Sequence, residues 1–406
     1  MEILKIAWRN IWRNKRRTLI TASSLMFAVI FGVSMRSMQL GTYDTMIDSA
    51  VRQYSGFIQV QDTAYWKDKT IDELMSESDE TIRKIAEIDG VISVLPRLES
   101  FALISSGNKT KGAFLQGVDP SIDSKMTGIA DKIVKGRYLE PGDDGLIIGQ
   151  RLAGFLNINV GDTIVLISQG YHGVTAADVF PVRGIVRIPN PALDKILMIG
   201  DIATVQEFYG AEQKLTALVV NIEDKSMIST IIPKVEAALD DNSLVTLSWT
   251  QMNKELQQQI EADNGGGIVM LIILYSVVFF GILGTIIMMT AERKKEFGVM
   301  VALGMQKKYL SLIVLFETIF LGMLGAFLGA VVSSSIVWYF HDSPIKITGE
   351  MADIYEQFGI EPVLSFSTDL SIIGNQFLIV LFLLLVAVIY PMIKIRTFTI
   401  IESLHS

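Results

Sequence analysis

The chain has 406 residues, half of them apolar, a formal net charge of −8 and no cysteine. Its charged fraction of 19% lies below the soluble average of about a quarter. Thiol chemistry, disulfides and Cys-ligated zinc are excluded, and the acidic balance argues against nucleic acid, whose phosphates demand clustered Lys and Arg.

In chain order, residues 1–17 pattern as an amphipathic helix lying at a membrane interface. Leu4, Ala7, Trp8, Ile11 and Trp12 share one arc, with Lys5, Arg9, Arg13 and Arg16 on the neighbouring one. The apolar run Leu19–Met35 follows Arg13, Lys15, Arg16 and Arg17. It is too long for a cleaved leader and no small-residue cleavage site follows, so it predicts an uncleaved first span over residues 18–41. Further apolar runs approach or exceed the ~20 residues that cross a bilayer and place spans at residues 267–291, 310–340 and 370–393.

Orientation follows from the cations. Lys and Arg crowd the N-terminal segment, the 292–309 loop and the 394–406 tail, whereas residues 341–369 are acidic. The positive-inside rule then puts both termini and the 292–309 loop in the cytoplasm, and residues 42–264 and 341–369 outside.

The 42–264 segment reads as a large α+β extracytoplasmic domain, so the fold class is membrane α-helical with four transmembrane helices plus that domain. Strands are expected at Phe57–Gln61, Leu98–Ile104, Gly112–Gly117, Leu146–Ile148, Thr163–Ile167, Phe180–Ile188 and Leu215–Ile222. Helices are expected from the Ser78/Asp79 cap to Ile88 and over Gln150–Leu156, Ile202–Tyr209 and Ser226–Leu239. Ser168–Asp178 joins two of the strands as a loop with Tyr171 and His172 at its tip. The acid pair Asp143-Asp144 reads as solvated. The polar stretch Trp249–Ala262 reads as a helical stalk that Gly265, Gly266 and Gly267 interrupt, a candidate hinge, since each glycine weakens a helix by about 1 kcal/mol relative to Ala.

Residues 292–305 are too apolar for a solvated linker and too short and charged to span; a short helix along the membrane surface is expected there, its C-terminus at Gly304. Glu317 lies ~10 Å inside the third span and is a functional candidate by default. Gly322, Gly325 and Gly329 recur three and four apart, a ridge for close helix packing either within the chain or across a dimer.

No catalytic constellation emerges. His172, His341 and His405 are isolated, no metal-ligand spacing occurs, and no Gly precedes a Lys as a P-loop requires. The chain reads as a non-catalytic membrane subunit with no cofactor of its own.

Four stretches together resemble the FtsX-like/MacB-type permeases, the membrane subunits of type VII ABC transporters. They are Ala7–Leu19, Glu292–Gly304, Glu317 with the glycine ridge, and Tyr390–Arg396 with Ile401–Leu404. Gly117-Val-Asp-Pro120, Leu139-Glu-Pro-Gly142, Ile148-Gly-Gln-Arg-Leu152 and Gly161-Asp162 are similar to segments of the lipoprotein-releasing permeases LolC and LolE. The resemblance implies a bacterial inner-membrane protein, a porter-like MacB-type periplasmic core, and a coupling role for Glu292, Arg293, Lys294, Glu296, Phe297, Gly298, Met300, Leu303 and Gly304. It further implies an ABC ATPase on a partner chain that binds ATP and Mg, and a second permease copy or paralogue completing a dimer. The substrate would be a lipoprotein leaving the outer leaflet by mechanotransmission, among membrane lipid. A periplasmic carrier docking at Tyr171 and His172 is one reading of that loop, an ordinary hairpin the other. The alternative functions are MacB-like efflux of peptides or small molecules with a periplasmic adaptor, and FtsX-like regulation of a periplasmic hydrolase.

Overall fold

The computed structural model describes residues 2–13, 15–239, 241–357 and 362–397. The chain forms two units, one of Met1–Asp44, Gln259–Lys346 and Val363–Ser406, the other of Thr45–Gln258 and Ile347–Pro362.

The first unit is helical. Glu2–Arg13 is a surface helix, and the helices Lys15–Ile47, Lys254–Glu292, Lys307–Asp342 and Leu370–Thr397 are long and apolar enough to cross a membrane. Leu25, Tyr275, Ile282, Ala326 and Leu384 from these four helices meet in one apolar core. Small residues set the closest approach. A Cβ on Gly325 would lie 2.7 Å from the Ala22 carbonyl oxygen, and one on Gly329 2.8 Å from that of Met26, so the third span rides on the backbone of the first. Gly322 faces Leu384 of the fourth span. The ridge is therefore occupied within the chain.

The glycine triplet does not interrupt its helix: Lys254–Glu292 runs unbroken through Gly265, Gly266 and Gly267. Hydrogen bonds from the first span hold this stretch. Tyr43 donates to Asp263 at 2.6 Å, Arg36 to the Asn264 side chain at 2.6 Å, and Gln39 to the Asp263 carbonyl at 2.9 Å. Gly267 leaves the space that the Gln39 side chain fills. The break falls at Asn253, between the short helix Trp249–Met252 and the long one, so the predicted stalk is two helices.

The second unit is built on β1 (Ile58–Asp62), β2 (Met75–Ser76), β3 (Val91–Ser106), β4 (Lys109–Val118), β5 (Ile133–Gly136), β6 (Leu146–Gly149), β7 (Thr163–Gln169), β8 (Thr175–Val186), β9 (Leu197–Asp201), β10 (Lys214–Leu215), β11 (Ala217–Ile222) and β12 (Leu244–Ser248). Among the described residues, ten of these strands form one mixed sheet in the order β12-β1-β11-β3-β4-β9-β6-β8-β5, with β7 paired to β3 and β8. β4 runs parallel to β9 and β6 to β8; the other pairings are antiparallel. β3 and β4 exceed their predicted lengths because their hairpin ladder continues from Arg97↔Val118 to Ser106↔Lys109. β5, β9 and β12 were not signalled; β9 is buried over all five residues and so shows no period-2 alternation.

Three apolar sub-cores share the sheet. One gathers Leu95, Val118, Ile147 and Ile199 with Met126 of the helix Pro120–Thr127. A second gathers Val60, Val94, Leu218 and Val220 under the helices Asp79–Ala86 and Ile228–Ala238. A third gathers Ile104, Leu115, Ile148, Leu166 and Phe180 under Gln150–Leu156 and Ile202–Tyr209. Near their junction Arg97 is fully buried. It donates to the Tyr54 carbonyl at 2.6 Å, and its Nε lies 2.8 Å from the Gln116 amide oxygen in the orientation that accepts from it. Tyr54 belongs to a π-helix, Asp48–Ser55, so a buried cation fastens the segment leading into β1.

Candidate functional site

The basic helix ends of the membrane unit form a connected site. Lys294–Ala302 is a helix of nine residues between the second and third spans. Its inward face is apolar: Phe297 is buried among Leu310, Val314, Val388 and Ile395. Gly304, at φ +96°, adopts the left-handed conformation that ends the turn before the third span begins.

Ion pairs tie this helix to its surroundings. Arg293 donates to Glu317 at 2.6 Å, and both side chains are largely buried. Ile286, Met289, Val314 and Thr318 line the space beside that pair. Arg293 also lies over the Phe297 ring and reaches Glu296 at 3.3 Å. Glu296 in turn accepts both oxygens' worth of bonding from Arg13, at 2.7 and 2.8 Å, and that guanidinium holds its carboxyl below the usual carboxylate range. Arg17 pairs with Glu292. The chain Arg13–Glu296–Arg293–Glu317 thereby runs from the surface helix, across the short helix, into the third span.

The surface helix is itself docked. Ala7 and Ile11 are fully buried, Trp8 meets Phe320 edge-to-face at 5.7 Å, and Thr18 donates to the Ile11 carbonyl. Trp8 and Trp12 stay exposed rather than sharing the buried face of Ala7 and Ile11.

Of the residues selected from sequence, Phe297 and Gly298 face inward and Met300 is half-buried, so none of the three offers a free surface. Leu303 is 83% exposed, and Val299, overlooked in the sequence, is exposed one turn before it. With Lys295 and Ala302 they line one helix face at i, i+4, i+7 and i+8. That spacing was the available signal.

The Tyr171–His172 loop is smaller than predicted. Strand pairing continues to Gln169↔Thr175, leaving a tight turn of residues 170–174. The His172 N–H donates to Asp72 at 2.7 Å and Tyr171 packs against the apolar core, so the tip is held down. Asp143 is not solvated either: Arg137 grips it at 2.6 and 2.8 Å, and Asp144 pairs with Arg183.

The four domain motifs turn out to be scaffold. Asp119 caps the helix Pro120–Thr127, and Gly142 donates to Asp201 at 3.1 Å. Asp194 accepts the Gln150 and Arg151 amides at the start of Gln150–Leu156, and Gly161 donates to the Val182 carbonyl. Among the described residues no group of three or more His, Asp and Glu side chains could hold a metal ion. Ile401–Leu404 and His405 lie outside the described residues.

Residues 18–238 match the MacB-like periplasmic core domain, and residues 268–400 the FtsX-like permease C-terminal domain. The chain belongs to the FtsX-like/MacB-type ABC permease family. Within it, this permease is 22% identical over 261 residues to the lipoprotein-releasing system transmembrane protein LolC of Neisseria meningitidis, covering 61% of this chain and 62% of that one. It is 20% identical over 314 residues to LolC of Xylella fastidiosa, covering 74% of each chain. The solved periplasmic region of MacB from Actinobacillus actinomycetemcomitans aligns at TM-score 0.37 and 14% identity, over 51% of this permease and 93% of that structure. The short helix Lys294–Ala302 and the ion-pair chain thus fall in the FtsX-like part, and the ten-stranded sheet in the MacB-like part.

Proposed function

We propose that this permease is the membrane subunit through which a separate ABC ATPase drives release of lipoproteins from the outer leaflet of the bacterial inner membrane. The observation that carries the reading is the two-sided short helix Lys294–Ala302. One side is fixed to the third span by Phe297 and the Arg293–Glu317 pair, and the other presents Lys295, Val299 and Leu303 outward. An element so held transmits a push rather than absorbing it. ATP and Mg would be bound by the partner, and two permease copies, or this chain with a paralogue, would complete the transporter. On this reading both termini and the short helix are cytoplasmic, in keeping with the Lys and Arg distribution.

The spans also support an apolar cargo. Their membrane-buried stretches offer almost no charge to line an aqueous path, which suits acyl chains better than ions. The test is reconstitution in proteoliposomes with the cognate ATPase, a triacylated lipoprotein and a soluble acceptor. ATP-dependent transfer of lipoprotein to the acceptor is the expected result. ATP-dependent export of peptides or small molecules without lipoprotein transfer would replace this reading with adaptor-linked efflux.

A further inference from the structure

A cavity of about 240 Å³ opens between the second span, the short helix and the fourth span, and the ion-pair chain does not use it. Its walls are apolar, from Ile287, Phe297, Tyr390 and Pro391, with Lys294 and Lys394 added at the rim. No carboxylate lines it. The acids flanking Lys294 in sequence, Glu292 and Glu296, are engaged by Arg17 and Arg13. Neither Lys294 nor Lys394 has an ion-pair partner among the described residues.

The cavity lies where two membrane-crossing helices end, at Glu292 and Thr397, which is headgroup level whichever way the chain is inserted. Met288 and Ile393 beside it face outward and are more than half exposed, so its apolar wall continues into the lipid-facing surface. A ligand must therefore offer a phosphate-type anion to two ammonium groups and carry hydrocarbon along the adjoining helices.

We propose that this cavity binds one anionic phospholipid, its phosphate between Lys294 and Lys394 and its acyl chains against Ile287 and Tyr390. A bound lipid would brace the short helix against the second and fourth spans, because Lys294 and Phe297 belong both to that helix and to the cavity wall. The proposal stands apart from the transport reading, since it concerns occupancy and not turnover.

Native mass spectrometry of the full-length, detergent-purified chain tests it, with phosphatidylglycerol and phosphatidylcholine of identical acyl chains as probes. Phosphatidylglycerol is expected to bind at least tenfold more tightly, and Lys294→Ala/Lys394→Ala to lose at least tenfold, at roughly 1 kcal/mol per lysine. The charge-matched control Lys295→Ala/Lys308→Ala should keep wild-type binding. Lys394→Ala alone, at the exposed end of the fourth span, should lose severalfold and guards against misfolding of the short helix. Equal affinity for the two lipids, or equal loss in the control, would overturn the proposal. So would displacement of the lipid by millimolar inorganic phosphate, which would mark a free-anion site instead.

Discussion

Arg293, at the start of the short helix, donates at 2.6 Å to Glu317, about 2.8 turns into the third-span helix. The pair answers the question that a carboxylate in a span raises. Glu317 is matched by a cation from the neighbouring loop, and the match joins two elements.

Removing either partner strands a buried charge. Arg293→Ala and Glu317→Ala should each lower the stability of the purified chain by roughly 3 kcal/mol, with the double variant losing clearly less than the sum. Thermal unfolding of the four proteins in one detergent measures this, and strictly additive losses would show that the side chains act independently.

The outward face of the same helix should behave oppositely. Val299→Ser and Leu303→Ala should change stability by no more than about 0.5 kcal/mol, because both side chains are exposed. If the ATPase docks there, the pair of substitutions should weaken its co-purification at least tenfold. Undiminished complex formation would move the docking surface elsewhere.

For the glycine triplet, the structure separates three residues that look alike in sequence. A Cβ on Gly265 or Gly266 meets nothing, whereas one on Gly267 meets Gln39. Gly265→Ala and Gly266→Ala should each stabilise the helix by about 1 kcal/mol, and Gly267→Ala should destabilise it. Hydrogen exchange across residues 259–270 reads the difference. If bending at the triplet is part of the cycle, the first two substitutions should slow transport while slowing exchange.

Asp143 gives a pH signature in the sheet unit. The Arg137 guanidinium holds its carboxyl below the usual carboxylate range, so the folded state binds the proton more weakly than the unfolded one. The resulting stabilisation is complete above the unfolded value of about 4 and disappears as pH falls through the lowered folded value. The stability difference between wild type and Asp143→Asn should accordingly be constant from about pH 7 to pH 5 and shrink below about pH 4. A difference independent of pH throughout would remove the ion pair as its source.

The spans, the surface helix and the short helix after Glu292 were legible because each rests on composition or 3.6-residue periodicity, signals that survive without tertiary context. The domain's motifs were legible as a pattern but not as a role. Asp194 lies more than forty residues from the Gln150 and Arg151 amides it caps, and only the sheet brings them together. The inward turn of Phe297 was not legible for a similar reason. An aromatic among charges can face either way, and the choice depends on Leu310, Val388 and Ile395 arriving from two other helices. Arg97 carried no local signal, since its partners Tyr54 and Gln116 come from distant parts of the chain.

One strand ties the extramembrane fold into a single mechanical body. β3 contributes Val94, paired with β11, to one lobe and Ala102 and Ile104, paired with β4, to the other, within one continuous strand. A fracture that begins in either lobe must unzip the beam that both are glued to, so the lobes cannot yield one at a time. Strain fed into this body is shared across the whole sheet instead of being relieved by a partly melted half.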